Sequence, residues 1–509
     1  MYNLTNKFMK TNHNSRRNRA FLQLWPSGLL IGAAALLMTA CAEDGYDDGE
    51  RFTSSVTGST LSSPAVESIK VTPSADGKSQ TITWDVVKGA GGYLFSFYDM
   101  GNLDQPIVKD SLVDGCSVTV KREEDMNYRI DLRTAANTKL NNTEASETTQ
   151  ITFSTFTPTY MTIPAGSDLY EWFAANPIPA EALTANVNYD LVGGASYTIS
   201  GLLDFGANRV TLRSNNKSAR PTIKYVGNDA EMTISAGFTL KYLNFDCSES
   251  SQAFLSMSRT PSIEPLVVSA WDANWNFYHI ADPISIMNCN IEGVNSYFFW
   301  DNQVQCWFPQ TLLIDNCLVH LTTTADSKAK SGGYFWTNKG SGYIRNLTIA
   351  NSTFYNTGEG DVKYFVQYGG FGWSQTNESL GWLDNTITYE NCTFYHVCSA
   401  GQWGNYNGTA GKKTSYWNLL NCIFYDCSSG NVPRRFLAGK QKQETATFAN
   451  NTYMKKDGTF EEDGNLTNYD LSGTDIKEDP MFRDPENGDF HISGPTQVAR
   501  KTGDPRWLP

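Results

Sequence analysis

The chain predicts an all-β protein: a two-sheet β-sandwich followed by a long β-solenoid. Three observations carry that reading. Between residues 64 and 157, short segments alternate apolar and polar side chains with turn residues between them. From residue 240 onward one motif recurs seven times: apolar, any, apolar, any, Asn, small or apolar, any, apolar. The apolar parity also inverts at each of those asparagines. A slip of one residue sends strand side chains to the opposite face, so a straight strand cannot bury both arms. The backbone must turn a corner at the asparagine, a residue that tolerates the left-handed conformation.

Residues 1–40 read as a leader. Lys7, Lys10, Arg16, Arg17 and Arg19 precede an apolar run from Leu29 to Met38, which Thr39-Ala40-Cys41 closes. The run is too short to span a bilayer as a stable helix. Small residues before a cysteine resemble the lipobox of bacterial lipoproteins. The resemblance implies cleavage before Cys41, a lipid on Cys41 and a mature chain outside the cytoplasm. Residues 41–63 carry Glu43, Asp44, Asp47, Asp48 and Glu50 and then many Ser and Thr. Such a run cannot form a core and reads as a tether. It also resembles the export signal of Bacteroidetes-type surface lipoproteins, which implies an outer-membrane anchor facing the exterior. A plain polar tether has the same composition.

The net charge of −13 argues against a nucleic-acid partner. It would also repel a polyanion unless a basic patch or a metal ion compensates. Ten cysteines become nine without Cys41, and most sit at the recurring motif. An odd number at one repeated position indicates buried free thiols rather than a disulfide framework.

The first folded unit covers residues 64–157. Ser79 to Trp84, Tyr93 to Tyr98, Cys116 to Val120 and Tyr128 to Leu132 have the two-residue period of half-buried strands. Ile82-x-Trp84, Tyr93 and Tyr128-x-Ile130-x-Leu132 resemble a fibronectin type III domain. The resemblance implies Trp84 in the core and a spacer role.

The second unit covers residues 158–509. Asp168 to Ala175 reads as a short helix with Asp168 and Glu171 at capping-box spacing, placed to plug the end of a solenoid. Tyr197 to Ser200 and Val210 to Leu212 look like the first coils. The motif asparagines are Asn244, Asn288, Asn316, Asn351, Asn391, Asn421 and Asn450, separated by 44, 28, 35, 40, 30 and 29 residues. That spacing with strand-like content signals a solenoid. It resembles the asparagine ladder of right-handed parallel β-helices of the pectate-lyase, or pectin-lyase-like, type. The resemblance implies amide-to-amide bonds between coils and an inner stack of cysteines. The tail from Asp479 to Ile492 resembles the closing segment of that family and reads as a terminal cap.

The same resemblance places a groove on the outer face of the strands upstream of the ladder. Here those segments are 297–301, 334–338, 364–368, 402–403 and 434–437. Nine of the thirteen tryptophans fall between Trp271 and Trp417. Aromatic faces stack on sugar rings while nearby polar groups fix the hydroxyls. Candidate glycan-binding residues are Trp300, Asp301, Trp336, Asn338, Gln367, Tyr368, Trp373 and Trp403. Cleaving a uronate chain by elimination needs a base and a cation. The resemblance implies clustered acids for calcium and an Arg or Lys base; the candidate catalytic residues are Arg434, Arg435 and Lys363, whereas the acids Asp301, Glu359, Asp361, Glu378 and Asp384 are scattered. No metal ligand set is assigned, and calcium would enter only if the chain is a lyase. His320 and His396 read as packing or surface residues.

The whole organisation resembles Bacteroidetes-type outer-membrane lipoproteins of polysaccharide-utilisation systems. It implies polysaccharide as ligand, the outer membrane as anchor and a polysaccharide-uptake transporter as partner. Three functions stay open: a binder that does not cleave, a pectate-type polysaccharide lyase working by β-elimination, and an adhesive or structural surface protein.

Overall fold

Two antiparallel sheets face each other between residues 70 and 154. One holds Lys70–Pro73, Ser79–Thr83 and Ser117–Lys121. The other is ordered Val108–Val113, Tyr93–Asp99, Asn127–Thr134, Thr149–Ser154. Strand alternation turns Ile82, Trp84, Tyr93, Phe95, Tyr128 and Ile130 into the space between them. Trp84 stands edge-on to Tyr93 with ring centres 5.3 Å apart. The computed structural model describes residues 56–74, 78–270, 273–337, 339–340, 342–369, 379–382, 384–406, 415–437, 446–462 and 469–509. Cys41, the leader, the tether up to residue 55, Asn338 and Trp373 lie outside the described residues.

From Met161 the chain winds into a parallel β-helix of three sheets. The first sheet stacks ten strands from Met161–Ile163 to Ala446–Ala449. The second stacks nine from Ser196–Ile199 to Thr452–Met454, and the third seven from Leu202–Asp204 to Gln402–Tyr406. Registers run straight through, as in Ile349, Tyr389 and Leu419. The short helix Leu169–Ala175 caps the start: Asp168 accepts from the Glu171 amide at 3.1 Å, and Phe173 packs on Tyr189 and Phe205 of the first coils.

The corner between the first and second sheets is two residues long. Asn288, Asn316, Asn351, Asn391, Asn421 and Asn450 all sit there with φ between 48 and 55°. Asn316 donates to Asn288 at 2.7 Å, Asn391 to Asn351 at 3.1 Å, Asn421 to Asn391 at 3.1 Å and Asn450 to Asn421 at 3.0 Å. The ladder breaks once. Asn351 donates to Asp315 at 2.8 Å, and Asn316 accepts instead from Arg506 at 2.9 Å. The cysteine after the corner turns inward, and its thiol donates to the carbonyl two residues back: Cys289 to Met287, Cys392 to Glu390 and Cys422 to Leu420, each at 3.2 Å. Ser352 does the same with Ala350 at 2.5 Å. The nine described cysteines are free thiols.

Asn244 does not belong to the ladder. It pairs with Asn290 inside the second sheet, and the corner of its coil is Tyr242 at φ 59°. A shift of two residues preserves parity, so the sequence pattern could not reject it. Tyr242 departs from asparagine where the coil meets the sandwich. Its hydroxyl donates to Asp125 at 3.2 Å, and Lys241 forms an ion pair with the same carboxylate.

The tail is a lateral strap rather than an end cap. Its helix Pro495–Arg500 reaches Asn450, Gly503 N–H donates to the Asn421 carbonyl at 2.8 Å, and Trp507 donates to Thr353 at 2.8 Å. Phe490 packs between Tyr355 and Tyr395 at 5.2 and 5.3 Å. The outer file of the second sheet is aromatic there, and an apolar patch of that kind is stabilised by a cover.

Candidate functional site

The outer face of the third sheet aligns candidate glycan-binding side chains. Parallel register lines up Trp300, Trp336, Gln367 and Asn405 in one file over four consecutive coils. Successive members stand about 4.8 Å apart, the spacing of neighbouring strands. All four are half-buried. The two indoles share a brace: Tyr297 stacks on Trp300 at 4.4 Å and 15°, and meets Trp336 at 5.3 Å. The Tyr297 hydroxyl is anchored on the Lys328 carbonyl at 2.7 Å, and burial pushes its pKa up to about 12. Trp336 also lies flat on Gly332, where a Cβ would stand 2.0 Å from the ring, so any other residue would lift the indole off. Arg259 stands over Trp300 at 5.9 Å and is held by Glu231 at 2.9 Å. The indoles thus lead into two primary amides, groups that carry both donors and acceptors, although the Gln367 Oε1 is buried without a partner.

Several expected groove residues are elsewhere. Trp403 and Tyr368 point into the core. Trp403 stacks on Phe365 at 4.4 Å and meets Phe394 and Phe424 edge-on at 5.0 Å each. Tyr368 packs between Tyr343 and Tyr406. Asp301 is fully buried and works as a clip. Its carboxylate accepts from the Lys339 and Gln303 backbone amides and from the Gln303 side chain, at 2.8, 3.0 and 2.6 Å. Burial pushes its pKa up to about 6.

The segment 434–437 is a helix, Arg434–Leu437, not a strand. Pro433 presets the backbone for a first turn, and the Phe436 amide closes on its carbonyl at 3.0 Å. That removes Arg435 from the file. Its Nε donates to the Gly404 carbonyl at 2.5 Å, while Arg434 points to solvent. Lys363 is exposed above Tyr364, on the rim of a cleft of about 480 Å³ shared with Lys330, Glu359 and Asp361. Asp361 is occupied by the Ala400 and Val362 amides at 2.6 and 2.8 Å. Among the described residues there is no group of three or more His, Cys, Asp or Glu placed to hold a metal ion. His320 lies on the second sheet and His396 in the bend just after the strand Thr393–Tyr395, bonded to Glu292 and Asp426 respectively. Sequence reasoning missed Asn405 and Arg259. The register of Asn405 to Gln367 was the signal for the first, and the second has none, because residues 258–265 are a loop.

Three family models match the chain in succession. A domain of unknown function, DUF4992, covers residues 15–195. A second, DUF4957, covers 195–357, and a third, DUF5123, covers 387–507. No curated protein matches the sequence. One matching solved structure is the pectate lyase PelI from Erwinia chrysanthemi in complex with tetragalacturonic acid. It shares 8% identity over 66% of this chain and 84% of its own, with a TM-score of 0.19. At that similarity the pairing bears on neither site nor reaction, and the β-helix rests on the registers given above.

Proposed function

We propose that the chain is a lipid-anchored surface protein that binds a complex polysaccharide along the third sheet without cleaving it. The observation that carries this reading is the Trp300–Trp336–Gln367–Asn405 file. It sets two braced indoles for sugar rings beside two amides for hydroxyls. Neither arginine proposed as a base lies in that file, so elimination is the weaker reading. The fibronectin-like sandwich is the spacer between the anchor and the groove. The partner for onward transport is a polysaccharide-uptake transporter in the outer membrane.

Affinity electrophoresis and calorimetry against plant and host polysaccharides test the groove. Trp336→Ala is expected to weaken binding tenfold or more, about 1.4 kcal/mol or above. Unsaturated product absorbance on an acidic polysaccharide would replace the binder with a lyase, and an unchanged affinity in Trp336→Ala would remove the groove. The anchor has its own test. Cys41→Ser is expected to abolish incorporation of labelled fatty acid and to release the protein from the membrane fraction; persistent labelling would refute an anchor at this residue.

A further inference from the structure

The sandwich and the solenoid meet along two separate lines. On one, Asp125 holds Lys241 and the Tyr242 hydroxyl. On the other, Gly101 lies so close to the solenoid that a Cβ there would stand 2.8 Å from the Ser218 hydroxyl. The linker is fixed as well. Arg213 is buried, bonded to Asp190 at 2.7 Å and to both the hydroxyl and the carbonyl of Thr157 at 2.6 Å, and it lies 5.1 Å over Phe156. These contacts set the sandwich in one orientation, and they leave a gap between them.

That gap is an open cleft of about 500 Å³. Asp99, Asn127, Thr152 and Ser154 form its sandwich wall. Asn215, Asn216, Lys217 and Ser218 form its solenoid wall, and Met126, Phe153 and Phe156 add apolar surface. Neither wall encloses anything alone. The lining mixes hydroxyls, amides, the two carboxylates of Asp99 and Asp125 and one ammonium with aromatic edges. That is the donor-and-acceptor set a polyhydroxylated ring needs, in a volume within the range of small-molecule sites.

We infer that this interdomain cleft is a second carbohydrate site, which takes a short branch or chain end of the polysaccharide held in the groove. The inference rests on the glycan reading of the groove, but it makes the sandwich half of a binding site rather than a spacer. Both sites lie in one compact unit, so a polymer that reached both would gain avidity from the second contact.

Calorimetry of the full chain with short gluco-, manno- and galacto-oligosaccharides tests it, using plugs placed from either wall. Thr152→Trp fills the cleft from an exposed edge strand of the sandwich, and Lys217→Trp fills it from the solenoid. The expected result is two oligosaccharides per chain, falling to one in each plugged variant and to one in Trp336→Ala, with thermal melting preserved. If both plugs leave stoichiometry and affinity unchanged, the cleft is overturned and the groove stands. If the plugs abolish binding and Trp336→Ala changes nothing, the groove falls and the cleft stands. Absence of heat with every sugar overturns both.

Discussion

Trp403→Ala is expected to destabilise the fold by about 3–5 kcal/mol, the usual cost of removing a large aromatic ring from a packed core. The indole is fully buried. It sits on Phe365 and abuts both Phe394 and Phe424, which belong to an inner stack that continues through Phe354 and Tyr453. No neighbour can fill the gap without leaving that stack, so the cavity persists. Trp336→Ala is expected to cost a fraction of this, because its ring is only half-buried and rests on Gly332. The pair therefore separates stability from binding on two strands of one sheet, with the strand Tyr364–Tyr368 between them. Urea titration should shift its midpoint strongly for Trp403→Ala and slightly for Trp336→Ala, with the reverse ranking in glycan affinity. A Trp403→Ala protein that melts like the parent and loses glycan would mean that this ring faces outward.

The corner was legible because it has a local signature in the sequence. A parity inversion cannot be accommodated by any straight strand, and asparagine is the residue that accepts φ near 50° there. The exceptions at Asn244 and Asn351 were not legible. Tyr242 answers to Asp125, more than a hundred residues away in the sandwich, and Asn351 turns to Asp315 where Arg506 of the strap has taken Asn316. Both are long-range contacts with no local pattern. The groove was half legible for another reason. Each third-sheet strand enters around a bend, so consecutive residues are buried: Phe298 with Phe299, Tyr334 with Phe335, Phe365 with Val366. Period-two reasoning fails across that bend. Trp403 therefore turns inward although it shares its parity with Asn405. The strap was misplaced because its apolar residues match an end cap and a flank equally. Only the outer aromatic file of the second sheet decides between them.

Glu461→Gln is expected to flatten the dependence of stability on pH. Glu461 lies at the C-terminal end of the solenoid with 3% of its surface exposed. Its carboxyl accepts from the Val432 amide at 2.8 Å, and Lys455 is a nearby cation. Burial outweighs both and pushes the pKa from 4.5 up to about 8. The sign follows from proton counting. Between those two values the folded chain keeps a proton that the unfolded chain has released, so stability falls as pH rises, by about 1.4 kcal/mol per unit at the steepest. Below pH 4.5 both states are protonated and the penalty vanishes. Glutamine imitates the protonated carboxyl and still accepts from Val432. The variant and the parent should therefore unfold alike in acid and diverge toward pH 8, where the variant is the more stable by several kcal/mol. Chemical denaturation at a series of pH values reads this directly. Parallel profiles for the two proteins would place Glu461 in water, and would open the end of the solenoid that its burial now closes.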